Sequence, residues 1–233
     1  MTAELSRLIW QSDAYPTTDH RPMGETDLHR SLMINIIEIL QDRYAADPAV
    51  YVTGNLLVFY VKGDKHRHLS PDVMVVRGVP KRQRDNYLNW EEGKSPDFVL
   101  EVTSSSTSNE DRNYKFELYE QKLKVKELFL FDPRSEYLDP PLQGYRLRRG
   151  KYVAIPRVKG RIPSSVLGLH LEAAKKNLLL FDPTVQAILP TRSEALAAAN
   201  QSVALAERRA KQAEAELRRL RSETEERRKP AND

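Results

Sequence analysis

Two carboxylates in apolar surroundings and one lysine are the residues of this 233-residue sequence whose types and spacing could do chemistry. Asp72 stands in Ser70-Pro71-Asp72 at the head of a β-branched run, and Glu101 stands inside the apolar run Asp97 to Thr103. An ionised carboxylate in such a place is disfavoured unless it is paired or bound to a cation. Along the second run Phe98, Leu100 and Val102 share one face, while Asp97, Val99, Glu101 and Thr103 share the other. Glu101 therefore points away from the Phe98 and Leu100 side. If the two strands pair, Asp72 and Glu101 bring oxygen ligands to one divalent cation, a donor set that suits Mg²⁺ or Mn²⁺. Asp97 lies four strand residues from Glu101, roughly 13 Å of rise, and is too far to share that ion. Lys115 falls on the helix that follows, which can fold back and carry its ammonium toward the same point.

Two acids and a lysine meet the demands of phosphodiester hydrolysis. The phosphodiester is a poor electrophile that already carries negative charge, so the reaction needs a metal to polarise it and a cation for the charge that develops. The stretch Tyr145 to Ile162 adds Arg146, Arg148, Arg149, Lys151, Arg157, Lys159 and Arg161, seven positive charges in eighteen positions with no acid. Displayed on one side of a hairpin they could contact phosphates, with binding that weakens steeply in salt. The competing reading of the same residues is a strand edge kept from aggregating by its charge. Lys81, Arg82 and Arg84 form a smaller cluster.

These residues need elements to position them. Residues 1–24 carry Pro16 and Pro22 with no sustained period and read as an irregular lead-in. From Glu25 to about Arg43, Leu28, Leu32, Ile36, Ile39 and Leu40 recur at helical spacing and predict one buried helical face. Val50 to Val61 and Leu69 to Val76 read as strands of a meander, the first turning at Thr53-Gly54-Asn55. Lys81 to Lys94 reads as a loop. Asp97 to Thr103 predicts a strand leading into a helix that starts near Ser108 and Asp111 and runs through Tyr114, Leu118 and Leu123 to about Lys124. Glu127 to Phe131 predicts a strand stopped by Asp132-Pro133, and Gln143 to Ile155 a hairpin around Arg149-Gly150. The order implies an α/β fold, a mixed sheet with a helix on at least one face.

The tail differs in composition. Thr191 to Lys229 has no glycine or proline and is rich in Ala, Glu and Arg, as in a long helix. Leu196, Val203, Ala210 and Leu217 recur every seven residues, as do Ala199, Ala206, Ala213 and Leu220, which makes a thin apolar seam of the coiled-coil kind. The seam predicts a homodimer through the C-terminal helix, with a lone solvated helix as the plainer alternative. The chain thus reads as lead-in 1–24, main domain 25–189 and helical tail 190–233. Thirty-seven Lys and Arg against 33 Asp and Glu leave a net charge of +4, which permits a polyanion partner without demonstrating one. No cysteine is present, excluding disulfides, thiolate metal sites and cysteine nucleophiles. The absence of a long apolar run or an apolar N-terminal centre argues against a membrane span and for a cytoplasmic protein.

The motifs resemble those of a known family. Ser70-Pro71-Asp72-Val73, Pro96 to Ser104, Asp111 to Lys115 with Tyr119, and Leu130-Phe131-Asp132-Pro133 are similar to the Uma-two family of restriction-endonuclease-like proteins. Ser164 to Leu171 resembles its C-terminal strand segment. That family is placed in the PD-(D/E)XK nuclease superfamily, so the resemblance implies a Mg²⁺-dependent endonuclease core acting on DNA, a mixed β-sheet flanked by helices. It makes Asp72 the first acid and Glu101 the second, with the Val102 carbonyl as an extra metal ligand. Thr103 stands where the superfamily has lysine, and Lys115 takes that role by resemblance. Glu25 matches the N-terminal acid that some members add to the metal site. The alternative is a protein of nuclease fold that binds DNA or associates with itself without catalysis.

Overall fold

The computed structural model describes residues 15–18, 26–103 and 114–228. The chain divides into two compact units, Met1–Leu189 and Pro190–Asp233.

The first unit opens on helix α1 (Asp27–Arg43), whose N-cap Thr26 accepts the His29 N–H through its hydroxyl at 3.2 Å. Such a cap satisfies one of the donors that a helix start leaves without a partner. Leu32, Met33, Ile36, Ile39 and Leu40 are its buried residues, with Leu28 packed partly against them. This is the face that the periodicity predicts. Burying each such side chain contributes about 1.5–3 kcal/mol.

Strands β1 (Val50–Thr53), β2 (Val58–Phe59), β3 (His68–Leu69), β4 (Val73–Arg77) and β5 (Tyr87–Leu88) follow. A short helix α2 (Asn89–Glu92) precedes β6 (Phe98–Val102), and a π-helical segment, Leu118–Leu123, precedes β7 (Glu127–Phe131). β8 (Leu142–Arg148) and β9 (Lys151–Ala154) come next, then β10 (Ile162–Ser164), β11 (Leu169–Ala174), β12 (Asn177–Asp182) and β13 (Ala187–Ile188). The main sheet has the order β1-β4-β6-β7-β8-β9, with β6 and β7 parallel and the other neighbours antiparallel. β10 to β13 form an antiparallel sheet in sequence order, and β3-β2-β5 make a small third one. The fold is α/β, a mixed sheet flanked by helical segments.

The central strands β4, β6 and β7 of the main sheet are buried on both faces. On one, Val73, Val75, Phe98, Leu100, Val102 and Phe129 pack with α1 and with Leu169, Leu171, Leu178 and Leu180 of the second sheet. On the other, Met74, Val76, Val99, Leu128 and Leu130 pack with Leu118, Tyr119 and Leu123 of the π-helical segment. Glu101 alternates with Leu100 and Val102 and so belongs to the second face.

Two expectations are corrected. β1 and β2 do not form a hairpin: β1 pairs with β4 in the main sheet and β2 with β3 and β5. At the expected turn the Asn55 N–H instead donates to the Pro71 carbonyl at 2.9 Å, so Gly54 runs across the entry to β4. Lys81 to Lys94 is not all loop, because Tyr87 and Leu88 are buried in β5 and Asn89–Glu92 is helical. The start expected at Ser108 and Asp111 lies outside the described residues. The Arg149-Gly150 turn is as expected: both residues have positive φ, 50° and 81°, as a two-residue hairpin with a type I′ turn requires.

The second unit is helix α3 (Arg192–Arg228), 37 residues long. Thr191 and Glu194 cap its start reciprocally: the Glu194 N–H donates to Thr191 Oγ1 at 3.2 Å and the Thr191 N–H to Glu194 Oε2 at 2.8 Å. No helix among the described residues is long and apolar enough to cross a membrane.

Candidate active site

The antiparallel register of β4 and β6 pairs Val73 with Leu100. Asp72 immediately precedes β4, and its carboxylate reaches the main chain of Val102, the residue after Glu101. The pairing of β4 with β6 carries Asp72 to the end of β6 that holds Glu101. Both are buried, Asp72 at 9% exposure and Glu101 at 1%. Burying a carboxylate costs several kcal/mol unless it is well paired, so each must have partners.

Asp72 finds them in the sheet and in α1. The Val102 main-chain N–H donates to Asp72 Oδ2 at 2.7 Å, and His29 Nε2 lies 3.0 Å from the same oxygen. An ionised carboxylate only accepts, so His29 is the donor and its Nε2 carries the proton. No described group donates to Asp72 Oδ1. In an extended strand the N–H and C=O of one residue face the same neighbour, so the Val102 carbonyl also looks toward the Asp72 side.

Glu101 is held by the helical stretch after the strand. Lys115 Nζ donates to Glu101 Oε2 at 2.9 Å, and the Tyr119 hydroxyl donates to Glu101 Oε1 in a very short bond. Lys115 and Tyr119 stand four residues apart, the spacing that stacks side chains on one helical face. Leu118–Leu123 is wound as a π-helix that ends at Lys124 in the left-handed conformation, its N–H bonded to the Tyr119 carbonyl. π-helical turns inside helices are frequent at functional sites. Glu120 anchors this turn to β9: the Tyr152 N–H donates to Glu120 Oε1 at 2.7 Å and Lys151 Nζ to Oε2 at 3.0 Å.

Asp72, Glu101, Lys115 and the Val102 main chain are therefore brought together, whereas Glu25 lies outside the described residues. Asp97 is buried at the far end of β6 beside Lys94 and Lys126, as the spacing required. A cavity of about 360 Å³ there is lined by Arg77, Asp97, Lys126, Ser165, Val166 and Gly168 and lies away from the acid pair. Two further contributors are Tyr119, which the sequence reading quotes within a motif without giving it a role, and His29, which four-residue spacing from Glu25 reads as either a support of the site or merely structural. The four-residue step from Lys115 is the signal for Tyr119. His29 has none stronger than its step from Glu25. Among the described residues no three His, Asp or Glu side chains form a metal-ligating group.

A model of the Uma2 family, described as "Putative restriction endonuclease", matches residues 20–174. This chain belongs to the Uma2 family. Among solved structures, a crystal structure of a "putative nuclease belonging to DUF820" from Anabaena variabilis ATCC 29413 is similar at 16% identity and a TM-score of 0.49, covering 67% of this chain and 83% of that one. No curated protein matches the chain.

The cationic stretch of this Uma2 chain is divided by its partners. Arg146 pairs with buried Glu127 at 2.8 Å, and Arg161 pairs with Glu172 at 2.7 Å while lying over the Phe181 ring at 3.9 Å. These two guanidiniums support the packing of β7, β8 and the second sheet. Lys151 meets Glu120 but keeps most of its side chain in solvent. Arg148, Arg149 and Lys159 are exposed, at the tips of turns, and have no ion pair among the described residues. Arg82 and Arg84 converge on Glu92, and Lys81 donates to the Tyr44 carbonyl, so the smaller cluster is consumed internally.

Proposed function

We propose that this Uma2 chain is a metal-dependent endonuclease that hydrolyses phosphodiester bonds of DNA, with Asp72, Glu101 and Lys115 as its catalytic residues. The observation that carries the reading is that Asp72 Oδ2 accepts from the N–H of Val102, the residue after Glu101, while Lys115 Nζ lies 2.9 Å from the Glu101 carboxylate. The donors fit Mg²⁺ or Mn²⁺: two hard carboxylates, the Val102 carbonyl on the same side, and an Asp72 Oδ1 to which no described group donates. Mg²⁺ commonly takes one or two carboxylates and keeps several waters, so no third acid is required. When bound, such an ion supplies Lewis-acid polarisation of the phosphoryl oxygen and makes water more acidic.

The chain's own groups do the positioning. The Val102 N–H and His29 Nε2–H hold Asp72 Oδ2, and Oδ1 would be the oxygen that holds the cation. The Tyr119 hydroxyl fixes one Glu101 oxygen. Lys115, held on the other, presents a fixed ammonium to the negative charge that grows on the phosphoryl oxygens. Arg148, Arg149, Lys151 and Lys159 supply phosphate contacts that orient the duplex without reading its sequence.

The test is cleavage of plasmid and linear DNA at low salt with Mg²⁺ or Mn²⁺. Wild type is compared with Asp72→Asn, Glu101→Gln and Lys115→Met proteins shown to be folded. Cleavage by wild type that is lost in all three supports the assignment. Salt-sensitive binding with no cleavage by wild type on any substrate overturns it in favour of a DNA-binding protein of nuclease fold.

A further inference from the structure

Helix α3 exposes an apolar seam that a single helix cannot bury. Leu196, Val203, Leu217 and Leu220 are 62%, 57%, 51% and 49% exposed. Leu196, Val203, Ala210 and Leu217 take the a positions of successive heptads, and Ala199, Ala206, Ala213 and Leu220 the d positions. Leu, Val and Ala on one stripe do not by themselves say what covers it. The flanking charges do.

With this register, Arg209 and Glu216 are g residues, and Glu207, Glu214 and Arg221 are e residues. When two identical helices lie parallel and in register, each g residue meets the e residue five positions later on its partner. Arg209 then meets Glu214 of the partner subunit, and Glu216 meets Arg221 of the partner subunit. Two-fold symmetry repeats both pairs, giving four attractive contacts and no like-charge one. An antiparallel pair centred on Ala210 and Ala213 keeps Arg209 against Glu216 but sets Glu207 against Glu214, so repulsion offsets the attraction and the parallel pair is favoured. Within one helix Glu216 already bonds Arg219 at 3.0 Å, an exposed contact that a partner charge can share.

The geometry points to a second copy of this chain as the occupant of the α3 seam, in a parallel, in-register two-stranded coiled coil. The alanines at Ala206, Ala210 and Ala213 bring the helices close but bury little surface, so the association is weak and concentration-dependent. This inference does not rest on the nuclease reading.

The chain lacks cysteine, which makes the test clean. In the full-length protein, Ala210→Cys places identical thiols opposite each other only in a parallel, in-register pair, whereas Gln201→Cys sits on the outer f position. Under mild oxidation Ala210→Cys is expected to give a covalent dimer and Gln201→Cys to remain monomeric. Glu214→Arg should weaken the dimer in sedimentation equilibrium, and Arg209→Glu combined with Glu214→Arg should restore it. The inference is overturned if cross-linking is equal at both positions or absent at Ala210. It is also overturned if cross-linking appears only when Ala210→Cys and Ala213→Cys proteins are mixed, the result an antiparallel pair gives. None of these readouts requires catalysis.

Discussion

Gly54 lies directly against the backbone of Asp72: a Cβ placed on it would stand 1.9 Å from the Asp72 carbonyl oxygen, 2.9 Å from its carbonyl carbon and 2.7 Å from Ile37 Cδ1. The first two are main-chain atoms of a candidate metal ligand, and the third belongs to α1, which also carries His29. The absence of a side chain at Gly54 therefore sets the distance between the end of β1, the start of β4 and the helix. Gly54→Ala must push the Asp72 segment away. The expected cost is about 1–3 kcal/mol of stability, the usual range for overpacking. Metal-dependent cleavage should fall further than stability does, because a displacement of an ångström at a positioned group can cost about a hundredfold in rate. Urea unfolding and a cleavage assay on the same protein check both, and unchanged cleavage would show that Asp72 needs no such placement.

Lys115 and Glu101 can be separated into structural and chemical roles. Glu101 is buried and Lys115 half-buried, with side chains 1% and 16% exposed. Removing only the cation leaves a buried carboxylate without its ammonium, so Lys115→Met should lower stability by about 3 kcal/mol. Glu101→Gln alone should cost less, since the partly exposed ammonium can turn toward water. Combined with Lys115→Met it should recover much of the lost stability without recovering cleavage. Recovery of both would make the pair structural only. Tyr119→Phe should cost about 2 kcal/mol in the same unfolding experiment, the usual worth of a hydrogen bond to a charged group.

What is legible in the sequence and what is hidden can be told from these residues. Alternation along β6 gives the face of Glu101, and the rise per residue excludes Asp97, because both depend only on local strand geometry. The buried face of α1 is legible for the same reason. Gly54 reads as a hairpin turn and is not one: a glycine that admits close approach looks, in sequence, like a glycine that turns the chain. β5 escapes notice because Tyr87 and Leu88 form a two-residue strand within a charged stretch, too short for any period. Arg146 and Arg161 look like phosphate ligands until their partners Glu127 and Glu172, distant in sequence, come beside them. Tertiary pairing of charges leaves no local trace.

Acid sensitivity should come from carboxylates remote from the site. Burial alone would raise the Asp97 carboxyl, but bonds from Lys126, the Arg77 N–H and Lys94 outweigh it and hold the group below its ordinary range. Asp132 behaves alike: burial raises it, and the N–H groups of Tyr137, Leu138, Arg134 and Glu136 more than offset that. A carboxyl depressed in the folded state stabilises above its unfolded pKa of about 3.9 and loses that contribution as pH falls through the folded value. Stability in urea should therefore be nearly flat from neutral pH to about 5 and decline below about 4. Asp132→Asn should lower the plateau and shallow the decline. An equally steep acid limb in that variant would assign the effect elsewhere.

The cationic residues should sort by partner rather than by charge. Arg148, Arg149 and Lys159 are exposed and have no ion pair among the described residues, so neutralising them removes attraction for phosphates and little else. A triple change to Gln is expected to leave unfolding within about 0.5 kcal/mol of wild type, as for ordinary surface substitutions. It should weaken DNA binding and reduce the slope of log affinity against log salt by about 0.9 for each phosphate that is no longer neutralised. Arg146→Gln should behave in the opposite way. Its guanidinium neutralises Glu127, which is fully buried and also accepts from Ser164, Ser165 and the Val166 N–H. Leaving that charge uncompensated should cost about 3 kcal/mol, with the salt slope of DNA binding unchanged under conditions where the protein remains folded. Filter binding across a salt series, paired with urea unfolding, measures both quantities. A salt slope that falls with Arg146→Gln but not with the triple variant would move the nucleic-acid surface from the turn tips to the sheet.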